Sequence, residues 1–267
     1  MEAKKCVLTV RSNMDYGFIY EEPKQEDYLF GDASIDAPVL QPDGQWDAFL
    51  PSPEYQNLNG VEPYACATFT TTNCVEILLK RLYGFNDNYS DRFLAKMSGT
   101  AEKHGNSPHV VAETLRHMGD VDEYVWPFTS GIDTFEKYYS AIPNTVTDKA
   151  LGFTDHYDFR HDYVPNDQVS MMEALKYSPL GMSVFGWNLG SDGIYQAGRG
   201  MDNHFVTVYG YENGKYWKVF DSYDNEIKRL AWDHRPLTVK RYHIELSTQT
   251  KTWFSEALKK IRAFFHV

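Results

Sequence analysis

One cysteine in this sequence occupies a position where a thiol could act as a nucleophile. Cys66 comes three residues after Pro63 and begins CATFTTTNCVEILLKRLY, a segment that predicts a helix ending near Tyr83. A thiol at a helix N-terminus feels the positive end of the helix dipole, which lowers its pKa and favours the thiolate. A thiolate paired with an imidazolium is charged before any substrate arrives. The chemistry therefore requires a histidine that the fold brings close to Cys66.

A histidine and an aspartate flank the strongest β-hairpin signal in the sequence. The segment NHFVTVYGYENGKYWKVFDSY has two alternating apolar runs on either side of Asn-Gly at 213–214, a dipeptide typical of a two-residue hairpin turn. With that turn, Glu212 faces Lys215, and His204 and Asp221 point the same way on neighbouring strands. We expect these two residues to be diagonal neighbours, about 7–8 Å apart at the backbone.

This geometry would let Asp221 accept a hydrogen bond from one nitrogen of the His204 ring. Such a bond fixes the imidazole tautomer and favours the imidazolium. Tyr223, which the same register places opposite His204, would shield the bond from water. An ordinary hairpin with a histidine and an aspartate at its mouth is the alternative interpretation, and a nucleophile such as Cys66 favours the catalytic one.

The remaining cysteines and histidines have simpler interpretations. Cys74 lies among apolar residues eight positions into the predicted helix, and Cys6 lies in a strand-like segment, so we expect both to be structural. His156 and His161 alternate with aspartates in DHYDFRHDY, where a metal site is conceivable. The alternation of Tyr and Phe with polar residues instead favours a strand with one wet face. We expect no metal and no cofactor.

The elements that must position these groups divide the chain into two halves. The first half predicts helices: a buried central helix from Cys66 that stops at Gly84, and others capped by Ser90 and Ser107. Strands follow from Gly181 onwards in four apolar runs. This order predicts an α+β fold in which the helices and an antiparallel sheet are segregated. A site between two such lobes is the natural expectation.

Several short blocks occur in an order that is shared with a known family. ACATFTTTNCVEI is similar to a helix start around a nucleophilic cysteine, and the hairpin segment is similar to the blocks HAVxxVGY and YWxxKNSW. LPSPEYQ is similar to LPxVxxQ, which leads to an oxyanion glutamine. From roughly Leu50 to Ile244 the chain thus resembles the papain-like cysteine peptidases. The resemblance implies a two-lobed papain-like fold with Cys66 as nucleophile, His204 as base, Asp221 as orienting residue and Gln56 as oxyanion donor.

The sequence departs from the family pattern near the implied oxyanion site. Gln56 lies ten residues before Cys66, four more than in the family, so the loop NLNGVEP is enlarged and Asn59 is a rival donor. Ala67 replaces the tryptophan after the nucleophile, and Asp221 replaces an asparagine. Enlarged loops of this kind are associated with phage-encoded or bacterial relatives, and a location inside a phage particle is one expectation from this resemblance.

Composition limits the partners and the compartment. The chain has 267 residues and a formal net charge of −11, which argues against general nucleic-acid binding, and it has no apolar run long enough for a membrane span. Three cysteines without disulfide spacing, and no recognisable secretory signal, predict a cytoplasmic or otherwise reducing compartment. Residues 227–267 contain nine Lys or Arg against three Asp or Glu, a charge of +6 that suggests a partner surface or a solvated helix face.

We predict three segments: an N-terminal strand and loop extension (1–49), a papain-like peptidase domain (50–246) and a C-terminal amphipathic helix (247–267). The helix would dock its apolar stripe on the body of the protein or on a protein partner. The stripe comprises Trp253, Phe254, Leu258, Ile261 and Phe265.

Three functions are compatible with these residues. The first is a cysteine peptidase, a thiol hydrolase that cleaves peptide or isopeptide bonds through a Cys-His-Asp triad. The second is a catalytically inactive papain-like domain that serves as a structural or binding module. The third is acyl transfer on the same Cys-His pair. A fold alone does not choose among them.

Overall fold

The fold is described from a computed structural model, in which residues 17–24, 27–31, 38–196, 200–223 and 226–265 are described. Cys6 and its strand-like segment lie outside the described residues. The helices within them are α1 (Cys66–Tyr83), α2 (Asp91–Met97), α3 (Pro108–Met118), α4 (Phe135–Tyr138), α5 (Asn144–His156), α6 (Gln168–Ala174) and α7 (Thr248–Phe265). The strands are β1 (Tyr157–Tyr163), β2 (Leu180–Val184), β3 (Asn188–Leu189), β4 (Tyr195–Gln196), β5 (His204–Glu212), β6 (Tyr216–Phe220), β7 (Ile227–Ala231) and β8 (Val239–Leu246).

The helices and the strands form two segregated lobes, as the sequence predicted. Helices α1 to α5 precede the first strand, and the eight strands form one sheet in the order β1-β8-β2-β5-β6-β7-β4-β3. The pairs in this sheet are antiparallel except for β4 beside β7. The α+β fold class is therefore confirmed.

Helix α1 is the buried central helix of the molecule, and its bounds match the prediction. Residues 66–79 are all buried. Gly84 ends the helix in the left-handed conformation, with φ of 73°, which glycine adopts without steric cost. The helix packs across β5, so its apolar residues join those of the sheet in the main core.

Threonines in the first half of α1 are poor helix formers that the tertiary structure accommodates. The Thr71 hydroxyl donates to the Ala67 carbonyl four residues earlier (2.8 Å), which is the usual way a helix satisfies a buried threonine. The Thr70 hydroxyl instead donates across the lobe boundary to the Phe205 carbonyl (2.9 Å). This second bond ties the first turns of α1 to the start of β5.

The β5–β6 hairpin differs from its predicted form at the turn. Glu212 faces Tyr216, not Lys215, because the turn has three residues, with Gly214 in the left-handed conformation (φ 73°). A bulge at Tyr209 then adds one residue to β5. The two changes cancel, so Thr207 pairs with Phe220 in the predicted register at the open end of the hairpin.

The boundary predicted at residue 50 does not coincide with the edge of the core. Trp46 is fully buried in the main core, and its indole N–H donates to the Leu175 carbonyl (2.8 Å). Residues 46–49 therefore belong physically to the domain that was predicted to begin at residue 50. The short 3-10 helix Asp47–Phe49 lies in this stretch.

The segment DHYDFRHDY forms β1, as predicted, but only its first half is wet. Asp158 is exposed, whereas Asp162 is buried and accepts two hydrogen bonds from the Arg241 guanidinium (3.0 and 2.5 Å). His161 is also buried and bonds to Glu113 of α3 (2.7 Å). Asp162 departs from the predicted wet face because the Arg241 guanidinium that pairs with it lies over the rings of Phe30 and Tyr177.

Helix α7 lies beside α5 at the end of the described chain. The Ser247 hydroxyl donates to the Asp155 carbonyl (2.7 Å), which joins the start of α7 to the end of α5. Trp253 is 63% exposed; the side chains of the other four stripe residues lie outside the described residues. Docking of this stripe on a protein partner stays a prediction. None of the helices in the described ranges is both long and apolar enough to cross a membrane.

Candidate active site

Cys66 and His204 are the first residues of two elements that the fold packs together. Cys66 begins α1 and His204 begins β5. The bond from Thr70 to the carbonyl of Phe205 holds these two starts against each other, since Thr70 lies one turn after Cys66 and Phe205 directly follows His204. Both Cys66 and His204 are 0% exposed. His204, which lies far from Cys66 in the sequence, is thus brought to the N-terminus of α1.

The His204 ring forms the hydrogen bond that the hairpin predicted. Nε2 of His204 lies 2.7 Å from Oδ1 of Asp221. The second carboxylate oxygen of Asp221 accepts from Nζ of Lys228, also at 2.7 Å. The side chains of all three residues are buried, so the contacts are shielded from solvent. Since Nε2 is engaged by Asp221, proton exchange with a nucleophile would use Nδ1.

Asp221 remains a carboxylate in spite of its burial. Burial alone would raise its pKa, but the charge and hydrogen bond of His204, together with those of Lys228, hold the pKa below its usual value. Lys228 therefore supplies a second positive group to the carboxylate. Lys228 thus offsets part of the negative charge that Asp221 places in this buried site.

Two aromatic rings cover the imidazole. Tyr223 makes a T-shaped contact with the His204 ring at 5.3 Å between centroids, so it lies where the sequence placed it. Trp187 makes a second T-shaped contact at 6.1 Å. Apolar cover of this kind excludes water and strengthens the bond between His204 and Asp221.

The Gln56 side chain lies in the same corner, with its polar atoms engaged. Its amide oxygen accepts from the Ser222 hydroxyl (2.8 Å), and its Nε2 donates to Oε1 of Glu62 (2.8 Å) and to the Tyr223 hydroxyl (2.7 Å). The backbone N–H of Gln56 donates to the Ser222 carbonyl (2.9 Å). Gln56 is thus fixed next to the ring that covers His204.

The amide of Asn59, the rival oxyanion donor, is engaged by backbone carbonyls. Its side-chain Nδ2 donates to the carbonyls of Thr129 (2.9 Å) and Ile132 (3.1 Å). An amide has two N–H groups, and both are used here. Asn59 therefore ties the enlarged loop to residues 129–132.

Glu62 is the residue of the enlarged loop that reaches the site. Its Oε1 accepts from Gln56 and from the backbone N–H of Tyr64 (2.9 Å), and its Oε2 accepts from the Tyr223 hydroxyl. Burial raises the pKa of Glu62, although these hydrogen bonds and the charge of His204 act in the opposite direction. Glu62 and Tyr223 thus link the loop to the hairpin.

A segment from the N-terminal part of the chain passes over Cys66. Phe18 forms a small apolar cluster with Cys66 and Phe205, and its ring stacks on that of Phe205 at 5.8 Å. The N–H of Phe18 donates to the Asn203 carbonyl (3.4 Å), and the N–H of Ile19 donates to the Asn106 carbonyl (3.0 Å). The segment therefore bridges the two lobes.

Cys74 is the other described cysteine, and it serves as part of the core. Both described cysteines are free thiols. Cys74 is fully buried in the main core, with its sulfur 3.9 Å from the Thr207 hydroxyl. Burial raises its pKa, so Cys74 stays a neutral thiol. The structural interpretation of Cys74 fits this environment.

Three residues that contribute to this site were not predicted from the sequence: Glu62, Lys228 and Trp187. Lys228 lies on β7, a strand of five residues that was not predicted, and its inward position breaks the usual pattern of exposed lysines. Glu62 carried one available signal, because it is an acid inside the loop that departs from the family pattern. Trp187 follows β2 without any local signal of its role.

Comparison with known proteins identifies the fold. No protein-family profile and no curated protein matches this sequence. Bromelain from Ananas comosus, in complex with the E64 inhibitor, is 21% identical and matches with a TM-score of 0.54 over 75% of this chain and 98% of its own. Xylellain, a cysteine protease from Xylella fastidiosa, is 14% identical and matches with a TM-score of 0.61 over 88% and 96%.

A third solved structure is the ragweed pollen cysteine protease Amb a 11 in its proform. It is 16% identical, with a TM-score of 0.55 over 79% of this chain and 68% of its own. At identities this low, the likeness shows the fold. This chain has the two-lobed papain-like fold that the sequence resemblance implied.

Proposed function

We propose that this chain, whose fold is that of the papain-like cysteine proteases, is a thiol hydrolase acting on peptide or isopeptide bonds. The observation that carries the proposal is the buried His204–Asp221 hydrogen bond of 2.7 Å at the start of β5, beside the N-terminus of the helix that Cys66 begins. A nucleophile, a base and an orienting group are thereby supplied by two packed elements.

In this proposal Cys66 attacks the carbonyl carbon of the substrate as a thiolate. The carbonyl π electrons move onto oxygen and form a tetrahedral oxyanion. As the C–N bond breaks, the Nδ1–H of His204 donates its proton to the leaving amine, which gives a thioester on Cys66. His204 then takes a proton from water, the hydroxide attacks the thioester, and Cys66 leaves as the thiolate. Asp221 holds the ring through Nε2 during both steps.

Stabilisation of the oxyanion would come from the backbone N–H of Cys66 and the amide of Gln56. Donors held in place before the reaction stabilise developing charge more than mobile groups do. Gln56 is held on its other side by Ser222, which fixes the direction of the amide. We propose Gln56, and not Asn59, as the side-chain donor.

Thiol alkylation with site mapping tests the nucleophile. Iodoacetamide should modify Cys66 near neutral pH much faster than Cys74, which is an internal control because burial raises its pKa. His204→Ala should slow alkylation at Cys66 and leave Cys74 unchanged. If Cys66 reacts no faster than Cys74 while the protein is fully folded, the proposal fails.

A non-catalytic papain-like module is the second candidate, and one observation favours it. Cys66 is 0% exposed beneath Phe18, so the thiol is covered in this structure. A binding module would show alkylation at Cys66 only on denaturation and no hydrolysis of a fluorescent casein substrate. Acyl transfer, a phage-particle location and a reducing compartment stay predictions of the sequence.

A further inference from the structure

The carboxylate of Glu62 lies where three hydrogen-bond donors converge. The donors are Nε2 of Gln56 (2.8 Å), the backbone N–H of Tyr64 (2.9 Å) and the hydroxyl of Tyr223. An oxyanion requires donors of the same kind, because both are negative oxygens removed from bulk water. At this site, the anion that the donors bind is the carboxylate of Glu62, a side chain of the protein itself.

Gln56 has no amide hydrogen left for a substrate in this arrangement. An amide nitrogen carries two hydrogens, and those of Gln56 point to Glu62 and to the Tyr223 hydroxyl. Tyr223 in turn donates to Glu62. For Gln56 to donate to an oxyanion, one of these bonds has to break, and the bond to the carboxylate is the one that competes directly with another anion.

We infer that Glu62 occupies the oxyanion position of the proposed hydrolase as a built-in anion, and that turnover requires its carboxylate to leave these donors. The inference rests on the proposed function, since it concerns the donor of the same reaction. It assigns Glu62 to the substrate-binding site as a competitor of the reacting carbonyl. The enlarged loop is then the device that delivers this competitor.

The loop is built so that Glu62 meets its donors. Tyr64 adopts the left-handed conformation (φ 58°), in which its N–H points at Oε1 of Glu62. That conformation costs a non-glycine residue about 1 kcal/mol. The carbonyl of Pro63 accepts from the Tyr139 hydroxyl (2.6 Å), which anchors the loop to the helical lobe. Gly17 passes so close to Tyr64 that any side chain at position 17 would clash with the Tyr64 carbonyl.

The charges around Glu62 leave its carboxylate replaceable. His204, Tyr223 and Tyr139 are titratable groups that act on Glu62 or are acted on by it, and Cys66 acts on the same two tyrosines. The groups that donate hydrogen bonds to it are neutral. Burial raises its pKa, so the ionised form is less favoured here than in water. An arriving oxyanion can therefore take over donors that hold Glu62 without a direct ion pair.

The opposite role is that Glu62 positions Gln56 for catalysis. The two roles predict opposite signs when the carboxylate is removed. A competitor that is removed frees the Gln56 amide, so turnover rises. A positioning residue that is removed leaves Gln56 less ordered, so turnover falls.

The test compares Glu62→Ala with the wild-type protein in two assays. Hydrolysis of fluorescent casein requires the oxyanion site, whereas alkylation of Cys66 by iodoacetamide requires only the thiolate. We expect Glu62→Ala to raise the hydrolysis rate about 10- to 100-fold, within what one oxyanion donor contributes, while the alkylation rate changes less than about twofold. Glu62→Gln keeps the side-chain volume and removes the charge, and it should give a smaller gain.

Glu226→Ala is the matched control for the loss of one negative charge. Glu226 accepts a hydrogen bond from the hydroxyl of Tyr55 (3.2 Å), the residue that precedes Gln56. Glu226→Ala should leave the rates of hydrolysis and alkylation as in the wild type. Propionate supplies an external carboxylate, and it should inhibit Glu62→Ala but not the wild type or Glu226→Ala. A positioning role would not produce that difference.

The outcomes separate this inference from the proposed function. If Cys66 is alkylated in both proteins but Glu62→Ala hydrolyses casein no faster than the wild type, Glu62 is not a competitor and the proposed nucleophile stands. If neither Glu62→Ala nor Glu62→Gln changes the rate of hydrolysis, and propionate inhibits neither of them, the inference is overturned in the same way. If Cys66 is not alkylated in either protein, the proposed function itself is wrong.

Discussion

Two carboxylates lie close to Tyr223, the buried Asp221 and the half-buried Glu62, and their surroundings differ in kind. Asp221 bonds to His204 and Lys228, and these positive groups hold its pKa below the usual value against the effect of burial. Glu62 bonds to Gln56, Tyr64 and Tyr223, which are neutral donors, and burial raises its pKa. Burial alone therefore does not decide the charge of a carboxylate.

Because their surroundings differ, the two carboxylates have different roles in the proposed site. Asp221 keeps a constant negative charge next to the imidazole, which suits a group that orients a base through the whole reaction. Glu62 holds its charge less firmly and can be displaced by another anion. Substitutions that change one of the two carboxylates or its partners should therefore differ in the size and sign of their effects.

Removing the fixed carboxylate should have the largest effect on activity. Asp221→Ala leaves the His204 ring without its partner, and we expect kcat/KM to fall about 10³- to 10⁴-fold, as for the orienting acid of other triads. Steady-state hydrolysis of fluorescent casein measures this. Asp162→Ala is the control, because Asp162 is also a buried partner of a cation, Arg241, but lies on β1. It should lose stability and keep its rate per folded molecule.

Removing the donor on the Glu62 side should cost less. Gln56→Ala should lower kcat, but by less than the roughly 10²- to 10³-fold that a free oxyanion donor contributes, because Glu62 competes for the amide in the wild type; iodoacetamide labelling of Cys66 should be unchanged. Asn59→Ala should be silent, because the amide of Asn59 bonds to Thr129 and Ile132 instead. Normal turnover in Gln56→Ala would mean that no side-chain amide supports the reaction.

Removing the second cation next to Asp221 should lower the stability of the protein. Lys228→Met leaves Asp221 with one positive partner in a buried site, and we expect the free energy of unfolding to fall by about 3 kcal/mol. The double variant Asp221→Asn, Lys228→Met removes both charges and should recover part of that loss. Urea denaturation of the two single variants and the double variant gives the coupling. Additive losses would show that Lys228 does not offset Asp221.

The pH dependence of stability should have opposite signs for the two carboxylates. Glu62 has a raised pKa when folded, so its contribution is present below the unfolded pKa and is lost as pH rises through the folded pKa. Asp221 has a lowered pKa, so its contribution is present above the unfolded pKa and is lost as pH falls through the folded pKa. Glu62→Gln should therefore gain stability relative to the wild type above about pH 4.5, the ordinary glutamate pKa.

Melting temperatures of Glu62→Gln and Asp221→Asn between pH 3 and 8 measure this difference. Asp221→Asn should be furthest below the wild type above the ordinary aspartate pKa of about 3.9 and approach it in acid. Parallel curves for the two variants would mean that the two carboxylates have equivalent environments, contrary to the comparison.

The sequence alone determined the elements whose signals are local. Helix α1 begins at Cys66 and ends at Tyr83 as predicted, because apolar residues fill its later half and Gly84 provides the left-handed stop. Local preferences also predicted the N-caps of α2 and α3 at Ser90 and Ser107. Short-range preferences of this kind do not depend on the rest of the fold.

The hairpin shows how a local prediction can be right at one end and wrong at the other. The two-residue turn was wrong, since three residues form it, but the bulge at Tyr209 adds the compensating residue on β5. His204 and Asp221 therefore still meet. The bulge has no clear signal in the sequence, because the strand pattern continues through it.

Only the tertiary structure decided what surrounds this pair. Lys228 reaches Asp221 from a strand that was not predicted, and Phe18 reaches the cluster around Cys66 from the N-terminal part of the chain. Tyr223 reaches Glu62 across 161 residues of sequence. Such contacts depend on how the lobes pack, because the energy of a buried charge is set by its neighbours in space and not along the chain.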